Sequence, residues 1–397
     1  MPRIACLTAL LACLLAPTAA EAAGLAKTQK VLRQEMAKAG AYSGAYVTDL
    51  ETGQALFADD PDAARIPASV EKLYTSSAAL LRFGPEGTLT TAVSADAVPD
   101  ALGVVDGDLY LRGGGDPTFD AADASRLAGT LVAETGLTEV TGRVIGDESA
   151  WDTLRGPRTA RADYWVGPLS ALTFNRGFVG RRFQSSPPVT AAKAFTAALK
   201  RRGVTVRRAA RAGVAPGNAP QIAIHGSPTM AQLVAAMNTP SDNFIAEALL
   251  KSLGATFGGR GTTPVGARVV RTTAAQLGVL TRAVDGSGLA RSNRTSPRAV
   301  VSLLSAMYEG EAFEPFHASL PVAGRTGTLA NRLRRTAARD DCHAKTGTLH
   351  DVSALAGYCE TPDGGQVAFA FLMNEVNPAG ARVLQDRMAT ALARYSG

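Results

Sequence analysis

The chain is poor in the residues that usually announce a metal or redox centre. Among 397 residues there are four histidines and four cysteines, and two of the cysteines, Cys6 and Cys13, stand within the first 13 positions. His225, His317, His343 and His350 have no metal-ligand spacing and no H-E-x-x-H occurs, so neither a metal nor a cofactor is expected. Lysine is scarce as well, at 8 residues against 33 arginines. The net charge is +6, but no concentrated basic block and no aromatic interleaving marks a nucleic-acid surface; arginine spread over the exterior is the reading. The run Gly113-Gly114-Gly115 lacks the G-x-x-x-x-G-K-[ST] context of a phosphate cradle. No long apolar segment follows the N-terminal one, so no membrane span is expected in the mature chain.

What is present begins with a leader. Arg3 supplies a positive start, Ile4 to Leu15 an apolar run shorter than a span, and Ala20-Glu21-Ala22 a small-residue cleavage site. Residues 1–22 are read as a signal peptide; a lipoprotein leader ending before Cys13 would be unusually short. The mature chain is expected across the inner membrane, periplasmic or otherwise extracytoplasmic. The 46% hydrophobic and 19% charged residues of the full sequence describe a globular protein.

A helical stretch is expected over residues 28–39, then a hairpin of residues 41–50 and 54–58 around Glu51-Thr52-Gly53, then a helix from Ser69 to Arg82, started by Pro67 and stopped by Gly84. Residues 87–226 change texture to short strands and Gly-rich turns, with one helix near 189–202, and read as an inserted α+β region. Helical texture returns from Ser227-Pro228 to Met237 and from Phe244 to Leu253, where Gly254 is read as the stop. Strands at 344–349, 352–358 and 366–372 precede a final helix, Pro378 to Tyr395. A tight turn after Leu349 sets Cys342 opposite Cys359, close enough for a disulfide in an oxidising compartment; the alternative is two buried thiols.

Three short motifs stand in order: Ser69-Val70-Glu71-Lys72, Ser241-Asp242-Asn243 and Lys345-Thr346-Gly347-Thr348. Alone each is weak; together they form the S-x-x-K, S-D-N, K-T-G set of penicillin-recognising serine enzymes. A serine hydroxyl needs a base to become a nucleophile. Residues three apart share a helix face, so Lys72 can reach Ser69, while the helix start favours developing negative charge. Burial and a second cation, Lys345, would lower the Lys72 pKa; Glu71 points elsewhere. Ser241 and Asn243 suit a proton relay and an amide contact, with Asp242 fixing the loop backbone. The K-T-G strand can dock a substrate edge-on, with Gly347 allowing close approach and Thr346 and Thr348, on the face opposite Lys345, meeting a terminal carboxylate. Arg325-Thr326-Gly327-Thr328 nearly copies this motif but leads into polar sequence rather than an alternating hairpin.

With these motifs, and with Arg112 to Thr118, Gly167 to Leu172, Asp285 to Arg291 and Leu320 to Gly324, nearly the whole mature chain is similar to one family. It resembles the D-alanyl-D-alanine carboxypeptidase/endopeptidase family of low-molecular-mass, penicillin-binding protein 4-like enzymes. The resemblance implies an α+β fold: a five-stranded antiparallel sheet with helices on both sides, formed by residues 23–86 and 227–397 and split by the insertion at 87–226. It implies acylation of Ser69 by a peptidoglycan peptide ending in D-Ala-D-Ala, or by β-lactam antibiotics, with an oxyanion hole from the backbone N–H groups of Ser69 and Thr348. It implies a contact of Arg291 with the peptide stem, against which stands a turn-stabilising arginine. The insertion is short for two extra domains, so a third domain is reduced or absent. A serine β-lactamase and a non-catalytic wall-binding protein of the same fold are the competing readings.

Overall fold

A computed structural model describes residues 19–396, with side chains from residue 23 onward. The expected leader, residues 1–22, lies outside the described residues but for its last four positions. The chain opens with α1 (Ala19–Ala39), β1 (Ser43–Asp49), β2 (Ala55–Asp59), a 3-10 turn (Ala68–Glu71) and α2 (Lys72–Phe83). Then come β3 (Thr90–Ala95), β4 (Val104–Val105), β5 (Leu109–Gly113), α3 (Ala121–Thr135), β6 (Glu139–Val140), β7 (Val144–Asp147), β8 (Phe178–Val179), β9 (Arg182–Phe183), α4 (Pro187–Arg201), β10 (Thr205–Val206), β11 (Arg211–Ala212) and β12 (Gln221–Gly226). Helices follow: α5 (Met230–Asn238), α6 (Asn243–Gly258), α7 (Thr263–Gln276), α8 (Pro297–Tyr308) and α9 (Phe313–Ala318). The last elements are β13 (Cys342–Leu349), β14 (Val352–Glu360), β15 (Gln366–Asn374) and α10 (Pro378–Leu392).

The main sheet has the order β13-β14-β15-β1-β2, antiparallel throughout. Both of its faces are covered, so β14 and β15 are buried almost continuously. Alternation survives in side-chain size rather than polarity. Ala354, Ala356, Ala368 and Ala370 face the layer that holds α2, α5, α6, α7 and α8. Leu355, Phe369 and Phe371 face α1 and α10. The small residues let helices approach one face, and the aromatics fill the other at roughly 2–3 kcal/mol per buried side chain. The Cys342 and Cys359 sulfurs are bonded, from directly opposed positions on β13 and β14.

Residues 90–226 build a second five-stranded sheet, β11-β7-β5-β3-β12, a three-stranded one, β10-β6-β4, and the β8–β9 hairpin. Two helices, not one, pack on the second core: α3 as well as α4. The sequence reading overlooked α3, although Asp120 forms a capping box with Asp123 and Gly136 closes the helix in left-handed geometry.

Two other boundaries differ from expectation. The α5 helix is capped by Thr229 with Gln232, while the Ser227 hydroxyl instead accepts from Leu89 N. Gly254 does not stop α6 but lies inside it, where a side chain would strike Arg260 O and Gly266 N. The glycine therefore serves close packing of α6 on α7, and the helix ends at Gly259, whose φ is +78°.

Candidate active site

Ser69 sits in the 3-10 turn rather than in the α-helix. The Lys72 N–H bonds back to Ser69 O, so the two residues are related by the i, i+3 bond that eclipses side chains in this geometry. Lys72 Nζ consequently lies 3.1 Å from Ser69 Oγ. Ala68, fully buried, holds a φ of +48°, an uncommon conformation that turns the chain into the nucleophile. Two glycines press against this bend: a Cβ on Gly288 would lie 1.9 Å from Ala68 O, and one on Gly347 2.6 Å from Pro67 O.

Lys72 has no exposed surface, and among the described residues no carboxylate lies at hydrogen-bond distance of its amine. Its amine donates to Ser69 Oγ, to Asn243 Oδ1 at 2.7 Å and to Ser287 O at 2.6 Å, all neutral acceptors. Burial pulls its pKa down to about 8, against the opposing pull of Asp285, Glu247, Asp242 and Glu71. Of these, Glu247 and Asp285 were not foreseen as neighbours.

Asn243 is the first residue of α6, not part of a loop, and its Nδ2 donates to Trp165 O at 3.2 Å. Asp242 caps the helix, with Oδ1 accepting from Ile245 N at 2.9 Å and Oδ2 paired with Arg176. Ser241 occupies the turn between α5 and α6 with a φ of +64°. Its backbone N–H bonds Asn238 O, while among the described residues its hydroxyl has no hydrogen-bond partner. The middle motif thus reaches the nucleophile through Asn243, and the Ser241 hydroxyl stands unengaged.

Lys345 is also fully buried, and among the described residues its amine donates only to Thr346 O, at 3.0 Å. Burial pushes its amine down, and Lys72 pushes the same way, which sets the two amines in one electrostatic neighbourhood. Burial leads at both lysines; the expected depression of Lys72 by Lys345 does not appear among the influences on Lys72, and the push between the amines registers at Lys345.

The β13 strand is an edge of the sheet. Residues 321–323 cover its beginning through Ala344 N to Pro321 O and Ala323 N to Cys342 O. From Lys345 onward that edge has no backbone partner among the described residues, which leaves it open to strand-like addition. Thr346 Oγ1 is 2.7 Å from Thr328 Oγ1, so the near-copy of the motif lies beside the real one as a 3-10 turn, Gly327–Leu329. Thr348 Oγ1 accepts from Arg382 of α10 at 3.2 Å. Arg291 forms a two-pronged pair with Asp351, 2.6 and 3.0 Å, at the β13–β14 turn.

Ser287, Thr328, Arg382 and Trp165 were not identified from sequence. Ser287 lies within a family-like segment and Thr328 within the near-copy, so both carried a signal. Arg382 and Trp165 carried none. Among the described residues no three His, Cys, Asp or Glu side chains are grouped to hold a metal ion, and no helix is long and apolar enough to cross a membrane.

A sequence model of the D-Ala-D-Ala carboxypeptidase 3 (S13) family matches residues 25–187 and 179–395. A D-alanyl-D-alanine carboxypeptidase from Actinomadura sp. (strain R39) is 30% identical over 477 aligned positions, covering 96% of this chain and 87% of the relative. Carboxypeptidase DacB from Mycolicibacterium smegmatis is 30% identical, covering 87% of this chain and 79% of the relative. Penicillin binding protein 4 (dacB) from Haemophilus influenzae is similar in structure, with a TM-score of 0.77 at 19% identity over 92% of this chain and 99% of that one. A penicillin G acylated predatory endopeptidase from Bdellovibrio bacteriovorus gives 0.53 at 18% identity over 87% and 90%. These two structures speak for the fold. Motif order, site geometry and sequence relatives agree: the chain belongs to the D-Ala-D-Ala carboxypeptidase 3 (S13) family.

Proposed function

We propose that the protein is a serine D-Ala-D-Ala carboxypeptidase, with D,D-endopeptidase action on the same D-centred bond, acting extracytoplasmically on peptidoglycan stem peptides. The observation that carries this reading is Lys72 Nζ at 3.1 Å from Ser69 Oγ, with no carboxylate at hydrogen-bond distance of the amine among the described residues. The names of the sequence relatives support the same substrate class. Residues 23–86 and 227–397 form the penicillin-recognising unit on this reading, and 87–226 the insertion.

In its neutral form Lys72 takes the Ser69 hydroxyl proton as the oxygen attacks the carbonyl of the penultimate D-Ala. Negative charge gathers on that carbonyl oxygen, between the N–H groups of Ser69 and Thr348. The peptide C–N bond breaks, the leaving D-Ala amine receives a proton by way of Lys72 and Ser241, and an ester on Ser69 remains for water to hydrolyse. Asn243 holds the Lys72 amine and the substrate amide. Lys345, Thr346 and Thr348 receive the terminal carboxylate, whose charge favours the cationic form of the Lys345 amine. A β-lactam follows the same acylation path, but its ring nitrogen leaves while still tethered.

The test is D-Ala release from a synthetic peptide ending in D-Ala-D-Ala, followed by mass spectrometry. The expected result is single-residue trimming by the wild type and none by Ser69→Ala. An inert wild type, or a fully active Ser69→Ala, contradicts the reading.

A further inference from the structure

Behind Lys72 lie carboxyl groups that the acylation chemistry does not use. Glu71 and Glu247 have no exposed surface, and Asp285 is almost as buried. Asp285 is well provided for: it accepts from Gly288 N at 2.9 Å, Ala290 N at 2.6 Å and Asn293 Nδ2 at 2.7 Å. Glu247 Oε1 accepts from Gly286 N at 3.1 Å and Ser287 N at 2.9 Å. Its Oε2 and both oxygens of Glu71 have no hydrogen-bond partner, and among the described residues neither side chain forms an ion pair. Ionised, each would be a buried charge without a partner, a costly state that such groups escape by keeping their proton.

The placement ties both acids to the base. Asn243 and Glu247 stand i, i+4 on one face of α6. Asn243 meets the Lys72 amine directly, while Glu247 holds the Gly286–Ser287 turn whose carbonyl receives that amine at 2.6 Å. Glu71 precedes Lys72 in the chain. We infer that Glu247 is a positioning residue for Lys72, and that it and Glu71 act as a protonated carboxyl pair whose neutrality keeps the amine free to be a base. This inference rests on the role given to Lys72 in the proposed function.

Burial, then Asp285, pushes Glu247 up to about 8; burial, then Asp285 and Glu247, pushes Glu71 well up. The charged groups around the pair are Asp285 on its turn, Asp242 at the start of α6, Arg271 on α7 and Lys72 itself, with Lys345 facing Lys72 from β13. The sign follows from these charges. A negative Glu247 or Glu71 favours the ammonium form of Lys72 and so raises the pH at which the base appears. Protonated, neither acid exerts that pull, so replacing either by its neutral amide leaves the base appearing at the same pH.

The experiment is the rate of acylation by fluorescent penicillin from pH 6 to 10, with melting curves, for wild type, Glu247→Ala, Glu247→Gln and Glu71→Gln. Glu247→Ala should lose at least about tenfold in plateau rate, because the turn loses its acceptor. Glu247→Gln, whose amide oxygen can take the same two N–H groups, should recover that rate to within about threefold. In both Gln variants the midpoint of the rise should stay within about 0.3 pH unit of wild type, because one neutral group replaces another. Midpoints that fall by about half a pH unit or more, which would mean that the acids are ionised, or a Glu247→Ala variant as fast as wild type, overturn the inference. Should Glu247→Ala fail to fold, the two Gln midpoints decide. A failure of the proposed function looks different: the wild type itself would neither be acylated nor release D-Ala.

Discussion

Lys72 and Lys251 lie on helices that pack together, α2 and α6, and neither has any exposed surface. Their surroundings are opposite in kind. Lys251 donates to Asp152 Oδ1 at 2.7 Å and Leu154 O at 3.1 Å, and lies over the Trp151 ring. It carries its counter-ion with it and ties α6 to the segment after β7. Lys72 meets only a hydroxyl, an amide oxygen and a backbone carbonyl. A buried amine with a carboxylate at hydrogen-bond distance joins parts of the fold through an ion pair, whereas one bonded to neutral oxygens can act as a base. Lys345, bonded only to Thr346 O, belongs with Lys72.

The largest effect is expected from Ser69→Ala, on the order of 10⁴-fold loss of acylation, with an unchanged melting curve; persistent penicillin labelling would require another nucleophile. Lys72→Ala should slow acylation by about 10²–10⁴-fold, while Lys251→Ala should stay within about threefold of wild type. Equal losses in the two lysine variants would erase the distinction. The pH profile comes next. Lys72 acts as base only when neutral, and its neutral fraction rises as pH climbs through its value of about 8. Acylation should therefore rise about tenfold per unit below that pH and level off above it; a flat profile from pH 6 to 9 would contradict it.

Stability should report the other member of the pair. Lys251→Ala leaves Asp152, whose side chain is 24% exposed, without its partner. The expected loss is about 2–3 kcal/mol in urea unfolding, and no loss would mean that the ion pair does not hold the seam. The smallest effect is expected from Arg291→Ala. Its pair with Asp351 is open to solvent, so stability should change by less than about 1 kcal/mol. A stem contact would appear instead as a several-fold rise in KM for the peptide, with penicillin acylation unaffected.

Most of the local order was legible because local rules produce it. The hairpin of β13 and β14 follows from its alternation and tight turn, and that register alone sets Cys342 opposite Cys359. The i, i+3 spacing of Ser69 and Lys72 needed only a helical turn. What sequence could not convey depends on residues far apart in the chain. Ser287, 215 positions from Lys72, supplies its shortest contact, and Asp152 stands 99 positions from Lys251. Gly254 was read by the local rule for helix ends, when a neighbouring helix had already claimed its missing side chain. Glu71 was expected to point away from the nucleophile. Its direction became informative only once two other acids, Glu247 and Asp285, were found in the same interior.

The most direct test is intact-protein mass spectrometry after benzylpenicillin, with peptide mapping of the adduct, on wild type, Lys72→Ala and Lys251→Ala. The account predicts one adduct, on the peptide containing Ser69, forming rapidly in wild type and Lys251→Ala and slowly in Lys72→Ala. An adduct on any other residue, or one that forms as fast without Lys72 as with it, would contradict it.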